Sequence, residues 1–598
     1  MKHSRARSRA LACLAMFPLA VAPVVGQPGV ASAVSGSAEV VSGSAGVVSG
    51  SAGVVSGSAG VVSSAAGAPS APRVVFAEDF ENGRDATPIL VTGYTGAAPL
   101  NQTYTADPAW LANCNGWLVS QQAPAAVPPA TGCGGWWATV KQLAGSLGQW
   151  AGGDQATNHA VTAFTHADPG VGRIQLETGS PVGVGAGKRF LTFSVDAAEV
   201  NCHGNHAKLG FHLLDGATAI PTFTTPIEPC VDSETVLNGI SVGTYTSDAP
   251  VLFGGSAVGL RLVNLQGSGY GNDAAFDNVR VLDVTPRLGL GFAPVSAEVG
   301  DPSTLTFTVT NTSELAVKKG WAFTENLPAG LKVTGAAPVT DCADAAVTVP
   351  PDGAKITATG TLPEGKASCA VKVQVTAARA GTYPVCPDDL SAMAGIDPPE
   401  CAEVTFVPPI LAFDAHAHGG SLTTPLVTVP PLAPSDLTCV TGAGADDATL
   451  ATATLPGLGS LGVITTKASG QIDADGLRTA AATAKTARIR LLNGLVTADE
   501  ITSTAKARSD DSGDVTTTGE VDLVNLKVNG VSITEPGVSR TIEIPLVAKV
   551  VINERVATAG GDGIAVNALR IRTVAGVDLV VSHARASLTT PGQPCPAL

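Results

Sequence analysis

A period of two runs through the middle of the chain and restricts the fold more than any other feature. In STLTFTVT, Leu305, Phe307 and Val309 alternate with polar residues, and in CAVKVQV so do Cys369, Val371, Val373 and Val375. Successive side chains of a strand point to opposite faces, so each segment reads as a half-buried strand with its apolar set turned inward. Composition extends this reading to the whole chain. Only 14% of the residues are charged, and Gly, Ala, Val, Thr, Ser and Pro dominate, with β-branched alternation common and helical periodicity scarce. The expected fold class is all-β, as β-sandwich domains in tandem.

The N-terminus carries Lys2, Arg5, Arg7 and Arg9, an apolar run from Ala10 to about Val25, and Ala31-Ser32-Ala33. A basic start, a short apolar stretch and an A-x-A site make residues 1–33 a secretory signal peptide. Cys13 begins the apolar run and leaves with it. The ten remaining cysteines fall in close successive pairs, which suits a chain exported to an oxidising space. The expected disulfides are Cys114 with Cys133, Cys202 with Cys230, Cys342 with Cys369, Cys386 with Cys401, and Cys439 with Cys595. Each stabilises by roughly 2–4 kcal/mol, the last closing the longest loop. A thiolate metal site lacks any C-x-x-C knuckle.

Loss of the signal removes four positive charges and takes the formal net charge from −15 to −19. Such a surface repels nucleic acid and anionic lipid. No later apolar run approaches the length of a membrane span, and the closing TTPGQPCPAL has neither a sorting signal nor a hydrophobic tail. The expectation is a secreted protein, extracellular or cell-wall associated, with no nucleic-acid partner and no membrane span.

Residues 34–72 form a low-complexity Val/Ser/Gly/Ala spacer, in which VSGSAGV recurs with period seven. Gly and Ser in every unit argue against a coiled coil and for a flexible linker. Residues 73–286 form the first expected domain. Its opening RVVFAEDFENG and closing GYGNDAAFDNVRVLDVTP resemble the first and last strands of secreted jelly-roll β-sandwich modules, where acids from both termini often hold a structural calcium. Carried onto this chain, the resemblance implies Glu78, Glu81, Asp273 and Asp277 as ligands, since calcium takes six to eight oxygens. The alternative makes them solvated turn residues.

Trp110, Trp117, Trp136, Trp137 and Trp150, five of the six tryptophans, crowd into the first half of this domain. Core packing beneath the Cys114–Cys133 staple is the preferred reading. The rival is an exposed ligand-binding pair, Trp136 and Trp137, stacking on sugar rings as in carbohydrate-binding modules.

Residues 287–408 form an immunoglobulin-type domain. Its LTFTVTNTS followed by FTENLPAGL resembles the DUF11-type domains of bacterial surface proteins, which implies a structural spacer. Residues 409–598 form the C-terminal β domain. AFDAHAHGGSLTTPLVTVPPLAPSDLTC, ATLPGLGSLGVITTKASG and VVSHARASLTTPGQPC resemble the choice-of-anchor P domains of Gram-positive, mostly actinobacterial, exported proteins, which implies a surface location. Its lack of a recognisable anchor sets it apart from their usual arrangement.

The DAHAH segment of this last domain places Asp414, His416 and His418 on one strand face, a spacing that suits a divalent zinc or iron. The echo VVSHARASLTTP offers His583 as a further imidazole. A metal-dependent hydrolase of the amidohydrolase type needs a barrel of alternating strands and helices with additional ligands, and this segment is too short for one. No G-x-S-x-G, H-E-x-x-H or Walker-type loop occurs. After Phe413 there is no aromatic residue to stack on a sugar or base. DAHAH is therefore expected to be a polar, half-exposed strand face, with replacement of His416 and His418 leaving folding nearly intact.

The expected function is structural or adhesive and non-catalytic, with an unknown surface protein or glycan as partner and calcium as the one candidate cofactor. The alternatives are a carbohydrate-binding surface protein acting through the tryptophan-rich module, and a hydrolase at Asp414, His416 and His418.

Overall fold

Phe76, Phe193, Phe211, Phe276, Leu213 and Leu262 fill the core of the first sandwich, between a nine-stranded and a six-stranded sheet. The computed structural model describes residues 67–591 apart from 112–113, 127–132, 186–187, 427, 536 and 559–561. The signal peptide, the repeat region before residue 67 and Cys595 lie outside the described residues. The nine-stranded sheet centres on Arg189–Val200, Asp273–Asp283 and Ala160–Phe164. The opening strand Arg73–Glu78 pairs antiparallel with Asp273–Asp283, bringing the two ends of the module together. The six-stranded sheet runs through Leu209–Asp215 and Ala257–Asn264.

Two α-helices among the described residues depart from the all-β expectation, the single turn Pro229–Asp232 and a longer one. The α-helix Trp137–Trp150 lies on the far face of the nine-stranded sheet, where Trp137, Val140, Leu143, Ala144 and Leu147 pack on Trp117, Phe164, Ala198 and Ala275. Val140, Leu143, Ala144 and Leu147 follow the i, i+3, i+4, i+7 spacing of an apolar helical stripe.

The middle domain has the period-two strands read from the sequence. Ser303–Thr310 and Ser368–Ala377 pair antiparallel, with Phe307 opposite Val371 and Val309 opposite Cys369. Leu305, Phe307, Val309, Val371, Val373 and Val375 point into a core shared with Trp321, Phe323 and Ile356. Phe190 of the first module is also buried in this core. At the same junction Arg189 donates two hydrogen bonds to Asp397, at 2.7 and 3.1 Å.

In the C-terminal domain the two echoing segments pair. Ala412–Thr423 runs antiparallel to Asp578–Thr589 inside a seven-stranded sheet, with His418 opposite His583. A nine-stranded sheet supplies the other wall. Many of its inward positions are small, Ala480, Ala482 and Ala484 on one strand and Ala505 and Ala507 on the next, beside the larger Ile464, Ile489 and Ile501. Phe413 is the single aromatic ring of this core, with the Arg478 guanidinium 5.3 Å from its centroid.

Disulfides join Cys114 to Cys133, Cys202 to Cys230, Cys342 to Cys369, and Cys386 to Cys401. Cys439 is also disulfide-bonded. Its expected partner Cys595 is outside the described residues.

Candidate functional site

Where the helix Trp137–Trp150 begins, the first module opens a cleft of about 410 Å³. The Trp136 N–H donates to the Cys133 carbonyl at 2.9 Å, so the Cys114–Cys133 disulfide holds the start of the helix in place. The indole lies 6.1 Å from the Phe164 ring and stays 42% exposed. Phe164 is paired across the sheet with Asp273, which forms the polar floor. Asn201 and His203 form one wall, beside the Cys202–Cys230 disulfide, and Ser268 to Gly271 form another.

Asp273 is only 5% exposed, and its two oxygens differ. Oδ2 accepts from Asn201 Nδ2 at 2.7 Å, whereas Oδ1 is buried without a hydrogen-bond partner among the described residues. Burial pushes the carboxyl up to about 6, against the Asn201 hydrogen bond and the nearby His203.

The tryptophans divide. Trp110, Trp117 and Trp137 are buried, and Trp137 donates its indole N–H to the Pro124 carbonyl at 3.0 Å. Trp150 donates to Thr244 Oγ1 at 2.9 Å. Of the expected ligand-binding pair, Trp136, the residue before the helix, presents its ring at the cleft, whereas Trp137, the first residue of the helix, turns into the core. Tyr270, 67% exposed between Gly269 and Gly271, is a cleft residue that the sequence reading overlooked. Its signal was the flanking glycines of SGYG. Gly271 has a φ of +81°, and a Cβ there would sit 2.8 Å from the Gly204 Cα.

The four acids expected to hold calcium do not form one site. Glu78 accepts from the Phe80 N–H, Tyr94 Oη and Tyr104 Oη at 3.0, 2.9 and 2.7 Å. Glu81 accepts from the His159 backbone N–H at 2.5 Å and lies 2.7 Å from its Nδ1. Asp277 accepts from Asn158 Nδ2 at 2.9 Å and from the Asn278 N–H at 2.7 Å, and burial holds its carboxyl well above the usual range. These carboxylates spend their oxygens on protein donors, which a hard cation would have to displace. Among the described residues, the metal-type side chains that converge are Glu199, His206 and Cys230. Cys230 is oxidised to the disulfide with Cys202 and offers no thiolate.

Asp414, His416 and His418 of DAHAH lie on the strand face opposite Phe413, Ala415 and Ala417, which enter the core. The first two are buried rather than half-exposed: Asp414 is 0% and His416 3% exposed. His416 Nε2 lies 2.7 Å from Asp414 Oδ1, and Nδ1 lies 2.7 Å from Asp436 Oδ1. Burial alone would lower the imidazole pKa, but the two carboxylates outweigh it and raise it. The other Asp414 oxygen accepts from Arg585 Nη2 at 2.7 Å and from Ser587 Oγ at 3.2 Å. Burial would raise the Asp414 pKa, and His416 together with Arg585 hold it below the usual value.

His418 and His583 stack with ring centroids 4.7 Å apart. Burial lowers them to about 4 and about 3, respectively. His583 Nδ1 is 2.7 Å from Asn567 Oδ1. The arrangement is a cross-strand polar ladder. Both ring nitrogens of His416 and both oxygens of Asp414 are engaged with protein partners, which a metal ion in the alternative hydrolase reading would have to displace.

Residues 286–406 match the family model described as "Domain of unknown function (DUF7933)". The family matched over the middle domain is thus DUF7933, where the motif resemblance pointed to the DUF11 type. No curated protein matches the chain. Solved structures that resemble parts of it include three from bacteria. The type II cohesin dyad from the adaptor ScaA scaffoldin of Acetivibrio cellulolyticus is 12% identical over 41% of this chain and 97% of its own, with a TM-score of 0.15. The Yersinia pseudotuberculosis adhesin InvE is 15% identical over 46% and 70%, with a TM-score of 0.12. BcpA, the major pilin subunit of Bacillus cereus, is 10% identical over 48% and 91%, with a TM-score of 0.17. Likenesses at such TM-scores carry no argument about what this chain does.

Proposed function

We propose that this chain is an exported, non-catalytic structural and adhesive protein of a cell surface or its surroundings, built to display a ligand-contacting module. The observation that carries the reading is the saturation of Asp414 and His416. The constellation closest to a catalytic centre spends its donors and acceptors on cross-strand hydrogen bonds and an ion pair with Arg585. Disulfides in all three domains suit an oxidising location. Among the described residues no helix is long and apolar enough to cross a membrane. The choice-of-anchor P resemblance of residues 409–598 supports a surface location in an actinobacterial or other Gram-positive setting.

Fractionation of cells into medium, wall and membrane, combined with an adhesion assay of the purified chain on cell envelopes, tests this reading. Recovery in medium or wall with saturable envelope binding is expected. Membrane recovery, or hydrolysis of an ester or amide lost in Asp414→Asn, would overturn it.

A second reading, a carbohydrate-binding surface protein acting through the first module, is favoured by one observation. Trp136 and Tyr270 are exposed beside a cleft whose floor is a buried carboxylate.

A further inference from the structure

We propose that the middle domain closes an intramolecular amide bond between Lys318 Nζ and the side-chain carbonyl carbon of Asn311, with Glu314 carrying the protons and ammonia as the leaving group.

A lysine amine is sealed here against a carboxamide. Lys318 opens the strand Lys318–Asn326 and is 0% exposed, and Asn311, directly after the strand Ser303–Thr310, is 1% exposed. Nζ lies 3.0 Å from Asn311 Oδ1, 3.0 Å from the Ala316 carbonyl oxygen and 2.5 Å from Glu314 Oε1. Asn311 Cγ is one carbonyl bond beyond the first of these oxygens, within about 4.2 Å of the amine. The fold thus holds nucleophile and electrophile together, which turns a bimolecular encounter into an intramolecular one. Nothing has to enter from solvent, and burial keeps out water that would compete for the same carbon.

Three acceptors match the three N–H bonds of an ammonium, and this paired cation is the resting state. Burial lowers the lysine pKa, against the pull of Glu314. Passing one proton from Nζ to Glu314 removes both charges from the pair and frees the nitrogen lone pair, which attacks Cγ. Charge gathering on Oδ1 meets the Thr312 N–H, which already donates to that oxygen at 2.9 Å. As the Cγ–Nδ2 bond breaks, Glu314 gives its proton to the departing nitrogen and takes the second proton from Nζ. Ammonia leaves, the new amide keeps one N–H, and the proton on Glu314 follows ammonia into solvent as ammonium.

The reacting groups are oriented in advance. Asn311 Nδ2 donates to the Ala316 and Lys366 carbonyls at 3.1 and 3.0 Å, and Thr312 Oγ1 donates to Glu314 Oε1 at 2.7 Å. The backbone N–H of Asn311 donates to the Ala367 carbonyl at 2.8 Å, and that of Gly365 to the Leu315 carbonyl at 2.8 Å. The strands before Asn311 and after Lys318 belong to the five-stranded and the four-stranded sheet of this domain. The bond would therefore staple the two sheets by a link that, unlike the disulfides, no thiol opens.

The test is the mass of the exported full chain, reduced, alkylated and digested with trypsin. Residues 288–319 contain no cysteine. The bond makes this stretch lighter than its sequence by one ammonia, about 17 Da, and blocks cleavage after Lys318. Fragment spectra should place the branch between Asn311 and Lys318. Lys318→Arg and Glu314→Gln should restore the sequence mass, with circular dichroism recorded to show that each variant folds.

An unshifted mass for residues 288–318 of the unaltered chain overturns the proposal, whatever the variants do. The same loss of mass with Lys318 still cleaved marks a succinimide at Asn311 and also overturns it. A complete cross-link persisting in folded Glu314→Gln overturns the role given to that carboxylate.

Discussion

Asp414 and Arg585, 171 residues apart in the chain, form a 2.7 Å ion pair between neighbouring strands, with the carboxylate fully buried. His416 holds the other oxygen of the same carboxylate. Removing it takes a carboxylate partner from two buried side chains, Arg585 and His416. Asp414→Ala is expected to destabilise the C-terminal domain by about 3–5 kcal/mol in urea unfolding. His416→Gln should also lower stability measurably, because it abandons Asp414 and Asp436 together, which reverses the near-neutral expectation drawn from strand periodicity. A loss within experimental error for both variants would remove the ladder from the stability of the fold.

The histidines of that ladder give stability opposite dependences on pH. His416 has a raised folded pKa, so its contribution is fully present below the unfolded value near 6.5 and is lost as pH rises through the folded value. His418 and His583 are lowered to about 4 and about 3, so theirs is present above about 6.5 and fades as pH falls towards those values. Denaturant unfolding at several pH values should show stability falling on both sides of near-neutral pH. His418→Gln with His583→Gln should flatten the acid limb, and an unchanged limb in that double variant would assign it to the carboxylates alone.

Phe190 belongs by sequence to the first module and by packing to the core of the second. Phe190→Ala is expected to cost about 3–5 kcal/mol and to lower the melting temperature of the middle domain as well as the first. Calorimetry would show a shift confined to one domain if the two cores were independent.

Because Glu78, Glu81 and Asp277 are satisfied by tyrosine, histidine and asparagine donors, a chelator should leave the melting temperature of the full chain unchanged. A drop on chelation, restored by calcium, would show that the ion displaces those donors in solution. Thiol titration of the denatured, unreduced mature chain should find no free cysteine. Two or more reactive thiols would break the pairing scheme.

What was legible in the sequence was local and periodic. The alternation at Leu305, Phe307 and Val309 fixed strand type and facing, and close spacing was enough to pair Cys114 with Cys133 and Cys342 with Cys369. The helix Trp137–Trp150 is written in Val140, Leu143, Ala144 and Leu147, a four-residue stripe too short to stand out in a chain whose other periodicity is two. DAHAH showed a shared face. It could not show that Asp436 and Arg585 reach that face from neighbouring strands. The cleft was hidden for the same reason: Trp136, Phe164, Asn201 and Tyr270 come from four separate segments, and tertiary structure alone makes them neighbours.

Arg73 stands opposite Asp283 where the first module begins and ends, and Arg189 grips the same carboxylate. The chain thus enters and leaves this sandwich at one point. A pull along the polypeptide would load the Ser70–Ser313 contact and then the Arg73–Asp283 clamp, threatening to unzip the two end strands, while the rest of the module hangs to the side of the line of force. Trp136 and Tyr270 sit in that unloaded part, so the cleft they flank would keep its shape whether the tether is slack or taut, until the clamp itself gives way.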